Sequence, residues 1–327
     1  MAGGNMAGYW KVMGLSEKAT SPAMGEWPAR APGPDEVVVR LRAAALNFAD
    51  LLMLDGRYQD TPPRPFIPGL EGAGEVIEAG PEAGLAPGTR VAVYSQGTMA
   101  EANVFPAAHC VPIPDTMGWA EAAGFLIAYG TSHLALSHRA GLRAGDALAV
   151  LGAAGGVGLT AVEIGAALGA RVIAVARGTA RLETARAAGA AETIDSETCP
   201  DLRAALRALG GVDVVYDPVG DALGEAAFGA LRPGGRFLLI GFAGGKPPRL
   251  PLNHALVKNI AIHGLYWGAY RTLDPGAMRD SLTALMALYQ AGRLHPHVGA
   301  TLPLERLPEA YALLESRSTS GKIVVTI

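Results

Sequence analysis

The chain has 327 residues, 50% of them hydrophobic, with 27 Lys and Arg against 30 Asp and Glu for a formal net charge of -3. That length can bury two cores, so two domains are expected; the near-neutral charge leaves no electrostatic footprint for nucleic acid or an anionic membrane. The opening MAGGNMAGYWKVMG lacks the basic region and apolar run of a signal peptide, and no apolar stretch is long enough to span a bilayer, so a cytoplasmic location is expected.

From Glu36 to about Pro114 the pattern is short β runs broken by glycine and proline: EVVVRLRAAALN, GEVIEAG, TRVAVYS and a stretch ending in VPIPD. An irregular, mostly antiparallel β domain follows from it. Residues from about Trp119 to Arg139 suit helices. From Ala147 onward strands and helices alternate, with strands predicted at Ala147–Leu151, Arg171–Ala176, Val212–Asp217, Arg236–Gly241 and Ile260–Gly264, and helices at Thr179–Ala188, Asp201–Leu209 and Asp221–Leu231. Such alternation implies right-handed crossovers and a parallel sheet covered on both faces. The tail from about Arg271 holds helical SLTALMALYQAG and EAYALLES and a terminal strand KIVVTI. Cys110 and Cys199 stand far apart without a partner motif, so neither a disulfide framework nor a thiolate metal site is indicated.

The most informative stretch is VLGAAGGVGLTAVEIGAALGARVIAVARGTAR, residues 150–181, which reads strand, glycine turn, helix, strand. Ala153, Gly155, Gly156, Val157 and Gly158 form the turn, with Ala153 where the first glycine of G-x-G-x-x-G is usual. Glycines let backbone approach a pyrophosphate, and the amides opening the next helix present partial positive charge to it. An NAD site places a carboxylate about twenty residues on, at the end of the second strand, to accept from the ribose hydroxyls. Here that strand ends in Ala176-Arg177, with Arg181 one helical turn further. Two guanidiniums at that place favour the 2′-phosphate of NADPH. The alternative is that both are solvated helix residues.

Taken together, LNFADLLMLDGRY, PGLEGAGEV, GAAGGVG, VDVVYDPVG, GRFLLIGFAGG and TSGKIVV are similar in order and spacing to zinc-independent medium-chain dehydrogenases/reductases of the NADPH:quinone oxidoreductase (zeta-crystallin-like) type. The resemblance runs from about Glu36 to Ile327. It implies an α/β protein: a GroES-like β domain at 1–124 and 268–327 and a doubly wound Rossmann domain at 125–267, with the active site in the cleft between them. It also implies a homodimer joined through Rossmann sheet edges.

Zinc-dependent relatives hold a catalytic zinc with Cys and His; this chain has Asn47 and Leu70 at the two positions that align, and no four-cysteine lobe. Leucine cannot ligate, so no zinc is expected. Glu71 is read as a buried hydrogen-bonded carboxylate, and His295 and His297 as a surface turn. Without a Lewis acid the acceptor must take hydride readily, as quinones and α,β-unsaturated carbonyls do. By resemblance, Asn47 and Tyr58 orient the acceptor, with Tyr58 a candidate proton donor, and Thr131 stands beside the nicotinamide. Gly241, Phe242 and Ala243 follow a strand at the sheet edge where ligands bind; Tyr266 and Trp267 wall the substrate pocket, and Lys322 reaches the cofactor. The competing functions are a 2-enoyl reductase for an acrylate or enoyl thioester, with Arg57, Arg64 and Arg271 as candidate contacts to the anion, and a crystallin-like protein that binds NADPH without turnover.

Overall fold

The computed structural model describes residues 9–17 and 21–327, and the reading of the first fourteen residues as free of a leader falls in part outside them. The described residues form two compact units, one from those up to 127 with 296–327, the other from 128–295.

The first unit begins with β1 (Tyr9–Gly14), β2 (Ala23–Pro28), β3 (Glu36–Ala45), α1 (Phe48–Leu54), β4 (Glu71–Ala79), β5 (Arg90–Val93), β6 (Ala102–Pro106), β7 (Cys110–Pro112) and α2 (Trp119–Ala123). Helix α3 (Leu126–His133) leads into the second unit, which holds β8 (Ala147–Leu151), α4 (Gly156–Ala167), β9 (Arg171–Ala176), α5 (Thr179–Ala187), β10 (Glu192–Asp195), α6 (Leu202–Ala208), β11 (Val212–Asp217), α7 (Asp221–Gly229), β12 (Leu231–Leu239), α8 (Leu252–Lys258), β13 (Ala261–Gly264), α9 (Tyr270–Leu273) and α10 (Pro275–Gln290). The chain then returns to the first unit as β14 (Val298–Pro303), α11 (Leu307–Ser316) and β15 (Lys322–Thr326).

In the first unit the sheet order is β14-β15-β3-β4-β5-β7, with β6 also on β3; every pair is antiparallel except β14 with β15. Arg40 and Arg42 of β3 face outward while Val39, Leu41 and Ala43 are buried, so alternation turns one face into a core with Val12, Phe105 and Tyr311. The C-terminal strand is thus the neighbour of β3: Val324 stands opposite Ala45.

The second unit is a parallel sheet in the order β10-β9-β8-β11-β12-β13. All five residues of its inner strand β8 are buried, as a strand covered by helices on both faces requires. Phe228 of α7 meets Phe237 of β12 edge-on, ring centroids 5.6 Å apart. The order reverses between β8 and β11, and the chain after both strands emerges at the sheet's C-terminal edge, where open α/β sheets bind ligands.

One expectation changes and one strand is added. Residues 268–295 were expected with the β domain, yet they pack in the second unit. The reason is the buried face of α10 (Met278, Ser281, Leu282, Leu285): Ser281 Oγ lies 2.9 Å from His133 Nδ1, while Arg293 donates to the Ala167 carbonyl at 2.8 Å and the His295 N–H is held by Glu163. The Trp119–Arg139 stretch is helical as expected, as α2 and α3 followed by a π-helical turn over Leu134–Arg139. Strand β10 was not predicted, because four half-buried residues at a sheet edge carry little alternation. Among the described residues no helix is long and apolar enough to cross a membrane.

Candidate active site

The glycine turn forms as its sequence demands. Gly152 leaves β8 with φ +59°, and a Cβ on Gly158 would lie 2.1 Å from the Gly152 carbonyl oxygen, so only glycine lets α4 start this close to the strand. Ala153 is fully buried and donates its N–H to Val175 O of β9 at 3.1 Å; an alanine therefore fits the place of the first glycine. No side chain caps α4 at Gly155, and no acidic residue sits in its first turn. The opening amides of Gly156, Val157 and Gly158 thus suit an anion.

The flanking groups gather on the same sheet edge. Val219, just past β11, would touch a Cβ on Gly152 at 3.0 Å, so the two turns meet at the strand-order reversal. Gly241, Phe242 and Ala243 follow β12; Gly241 and Ala243 donate their N–H groups to Asp217 O at 3.4 Å and Pro218 O at 3.0 Å, and Phe242 stays 43% exposed. Arg177 follows β9 and is exposed; Arg181, half-buried on α5, donates to the Arg177 carbonyl at 3.4 Å. Asp195, at the end of the unpredicted β10, was missed by sequence reasoning: its Oδ1 accepts from Gly178 N at 3.1 Å and Glu197 N at 2.9 Å, and these bonds hold the carboxyl below its usual range.

In the first unit Asn47, Glu71 and Lys322 converge. Asn47 ends the run from β3 and caps α1, its N–H donating to the Asp50 carboxylate at 2.7 Å. Its side-chain Nδ2 donates to Glu71 Oε1 at 3.0 Å. Lys322, first residue of β15, reaches in across Gly124: its ammonium donates to Leu46 O (2.8 Å), Asn47 Oδ1 (2.8 Å) and Glu71 Oε1 (2.7 Å). Glu71 is fully buried, as expected of it, and its Oε2 accepts from Ile127 N at 3.0 Å. Lys322, expected from the resemblance to reach the cofactor, has all three ammonium protons on acceptors of its own unit. Asp50 completes the group and was not singled out in the sequence: burial pushes its carboxyl up to about 7, with Glu71 raising it further against the pull of Asn47 N–H and Lys322.

Tyr58 is half-buried on the irregular segment after α1, where its carbonyl accepts from Thr61 Oγ1 at 2.6 Å. In the second unit Thr131 of α3 is buried, next to Gly130, on which the Trp267 indole lies so closely that a Cβ there would be 2.7 Å from its Nε1. Thr131 and Trp267 are therefore neighbours, with Tyr266 beside them in chain order and half-buried. Beneath them is a hydroxyl cluster that sequence reasoning did not find: Ser132 Oγ lies 2.8 Å from Thr160 Oγ1 and 2.9 Å from Tyr216 OH, and donates to the carbonyl of Val157 in the glycine turn at 3.0 Å. Spacing along the sequence gives no signal for such a cluster, since its members come from α3, α4 and β11. His295 is 78% exposed with Nδ1 3.4 Å from Glu163 Oε1, and the His297 carbonyl accepts from Lys322 N at 3.0 Å, a backbone-held turn.

Residues 33–115 match the family model of the alcohol dehydrogenase GroES-like domain, and residues 156–290 that of the zinc-binding dehydrogenases. Quinone oxidoreductase-like protein 2 of Mus musculus is 35% identical over 304 residues, which cover 91% of this chain and 87% of that protein. Among solved structures, the quinone oxidoreductase from Thermus thermophilus, also solved in complex with NADPH, is 31% identical with a TM-score of 0.86, covering 97% of this chain and 100% of its own. A mycobacterial structure complexed with NADPH has a TM-score of 0.89 at 26% identity over 97% of this chain and 100% of its own. A GroES-like unit and a Rossmann-type sheet with an uncapped glycine turn, carried in one chain, define a nicotinamide-dependent oxidoreductase. The chain belongs to the medium-chain dehydrogenase/reductase family, among its quinone oxidoreductase members.

Proposed function

We propose that this protein reduces a quinone or an α,β-unsaturated carbonyl with NADPH and without zinc. The observation that carries the reading is the end of β9: Arg177 follows the strand where an NAD site has its carboxylate, and Arg181 stands one helical turn on. The Asp195 carboxylate lies one strand over and is already bound to two backbone N–H groups, so Arg177 and Arg181 are the side chains we assign to a 2′-phosphate. When bound, the cofactor supplies hydride from its nicotinamide. The chain supplies the rest: the glycine turn and α4 amides hold a pyrophosphate, Thr131 and Trp267 border the nicotinamide, and Asn47 and Tyr58 offer N–H and O–H donors to an acceptor oxygen.

The residue types do not fit a catalytic zinc. Asn47 and Leu70 are poor ligands, and the Lys322 ammonium lies against both Asn47 Oδ1 and Glu71 Oε1, so a second cation there would be repelled. Prolonged treatment with 1,10-phenanthroline is expected to leave turnover unchanged; activity lost to the chelator and regained only with zinc would overturn this part of the reading.

Tyr58→Phe keeps the ring and removes one hydroxyl. Loss of one donor to developing oxyanion charge costs up to about 2–4 kcal/mol, and a quinone, whose reduced oxygen water can protonate, feels it less than an enone. NADPH binding by fluorescence titration is expected to stay normal while kcat/KM falls more on the enone. Weaker NADPH binding with turnover intact would place Tyr58 in the nucleotide site instead.

The partner we propose is a second copy of the chain. Strand β13 is the last of its sheet, and the preceding α8 exposes Leu252 (68%), Leu256 (79%) and Val257 (73%), an apolar face suited to burial in a dimer. Sedimentation velocity is expected to show a dimer that Leu256→Asp shifts toward monomer; a monomeric unaltered protein contradicts it.

A further inference from the structure

The two polar atoms of a carboxamide are alike in shape, but the chemistry around Asn47 tells them apart. An ammonium carries only donors, so the Asn47 atom 2.8 Å from Lys322 Nζ is the oxygen, and the atom 3.0 Å from Glu71 Oε1 is the nitrogen. The reverse orientation sets NH2 against the ammonium and oxygen against a carboxylate, two repulsive contacts in place of two bonds. Neither neighbour is free to adapt. Lys322 has its remaining protons on Leu46 O and Glu71 Oε1, and Glu71, fully buried, is tied through Oε2 to Ile127 N at 3.0 Å. Asp50 holds the Asn47 backbone N–H at 2.7 Å. Asn47 is half-buried, and its second Nδ2 N–H has no partner among the described residues.

We propose that Lys322 and Glu71 are positioning residues that lock Asn47 as a donor, so that its remaining N–H is offered to the oxygen on which negative charge develops as the acceptor is reduced. The inference rests on the reductase reading above and deepens it by giving the buried ion pair a task. A neutral carbonyl or quinone oxygen accepts this N–H weakly and the charged oxygen strongly, so the lock acts on kcat rather than on binding. An ion pair that only braced the fold would not care which way the carboxamide faces.

The test is a double-mutant cycle on the full chain with NADPH and methyl vinyl ketone: Asn47→Ala, Glu71→Gln and both together. Glutamine keeps the size of Glu71 but removes the charge that draws both Asn47 Nδ2 and Lys322 Nζ, so the carboxamide is held from the ammonium side alone and loses its fixed direction. Glu71→Gln is expected to lower kcat about 10- to 100-fold, the scale of one misdirected oxyanion donor, with NADPH binding by fluorescence unchanged. In the Asn47→Ala background it should cost less than about twofold more. A second readout needs no cofactor: with 15N-asparagine labelling, the Asn47 carboxamide pair, assigned by its loss in Asn47→Ala, should exchange slowly in the unaltered protein and quickly in Glu71→Gln. Where Glu71→Gln folds poorly, Glu71→Gln paired with Lys322→Met, which leaves no buried charge unpaired, goes through the same cycle with the same expectation. Losses that multiply across the cycle, or weaker NADPH binding with kcat intact, overturn the lock. Failure of the underlying reading looks different, because the unaltered protein then turns over no acceptor.

Discussion

Arg177→Ala with Arg181→Ala is expected to raise the KM for NADPH by about a hundredfold or more while leaving NADH almost untouched. A charge-assisted contact is worth about 1.5–3 kcal/mol, and every 1.4 kcal/mol is tenfold. Two contacts would add up to more than a hundredfold, but Arg177 is exposed and Arg181 only half-buried, so solvent screening argues for the lower end. The effect is expected to belong to the phosphate alone, because the glycine turn and the α4 amides would serve both cofactors. Steady-state kinetics with each nucleotide check it. An equal fall in kcat/KM for NADPH and NADH would show that the two arginines support α5 or the sheet edge rather than a phosphate.

The second large effect is on stability. Lys322→Met leaves the Glu71 carboxylate fully buried with its one cationic partner among the described residues removed, and breaking a buried pair from one side costs about 3–5 kcal/mol. Asp50 adds to the cost, since Lys322 is the cation that holds this second buried carboxyl down. Pairing Lys322→Met with Glu71→Gln removes the unpaired charge, so the double variant should recover part of the loss. Urea unfolding of the three variants decides the matter; a loss below about 1 kcal/mol for Lys322→Met alone would mean that water reaches Glu71 and the array is not the closed one seen here.

Much of this was legible in the sequence, for reasons that differ between the units. Strands β8, β9 and β11 have the predicted boundaries because each is a short apolar run closed by glycine or a charged residue. The glycine turn was readable since Gly158 has a steric reason that no other residue can satisfy. Strand β10 and its Asp195 were not, for four half-buried residues at an edge answer to pairing with β9, a tertiary matter. The boundary at 295/296 escaped for a similar reason: SLTALMALYQAG announces a helix but not which core its buried face will join. In the first unit Asn47, Glu71 and Lys322 were each singled out, yet their meeting depends on β15 pairing with β3 across most of the chain's length, and residue spacing carries no record of that. Asp50 was not singled out, because its burial is a tertiary matter: Tyr311 of α11, more than 250 residues away, lies close enough to feel its charge.

The most direct test of the central claim is NADPH oxidation by the purified full chain with 1,4-benzoquinone and 9,10-phenanthrenequinone, beside methyl vinyl ketone and, as an anionic control, acrylate. Saturable turnover of the neutral acceptors, faster with NADPH than with NADH, is the predicted result. Tight NADPH binding without turnover of any acceptor would contradict it and leave a nucleotide-binding protein that is not a reductase.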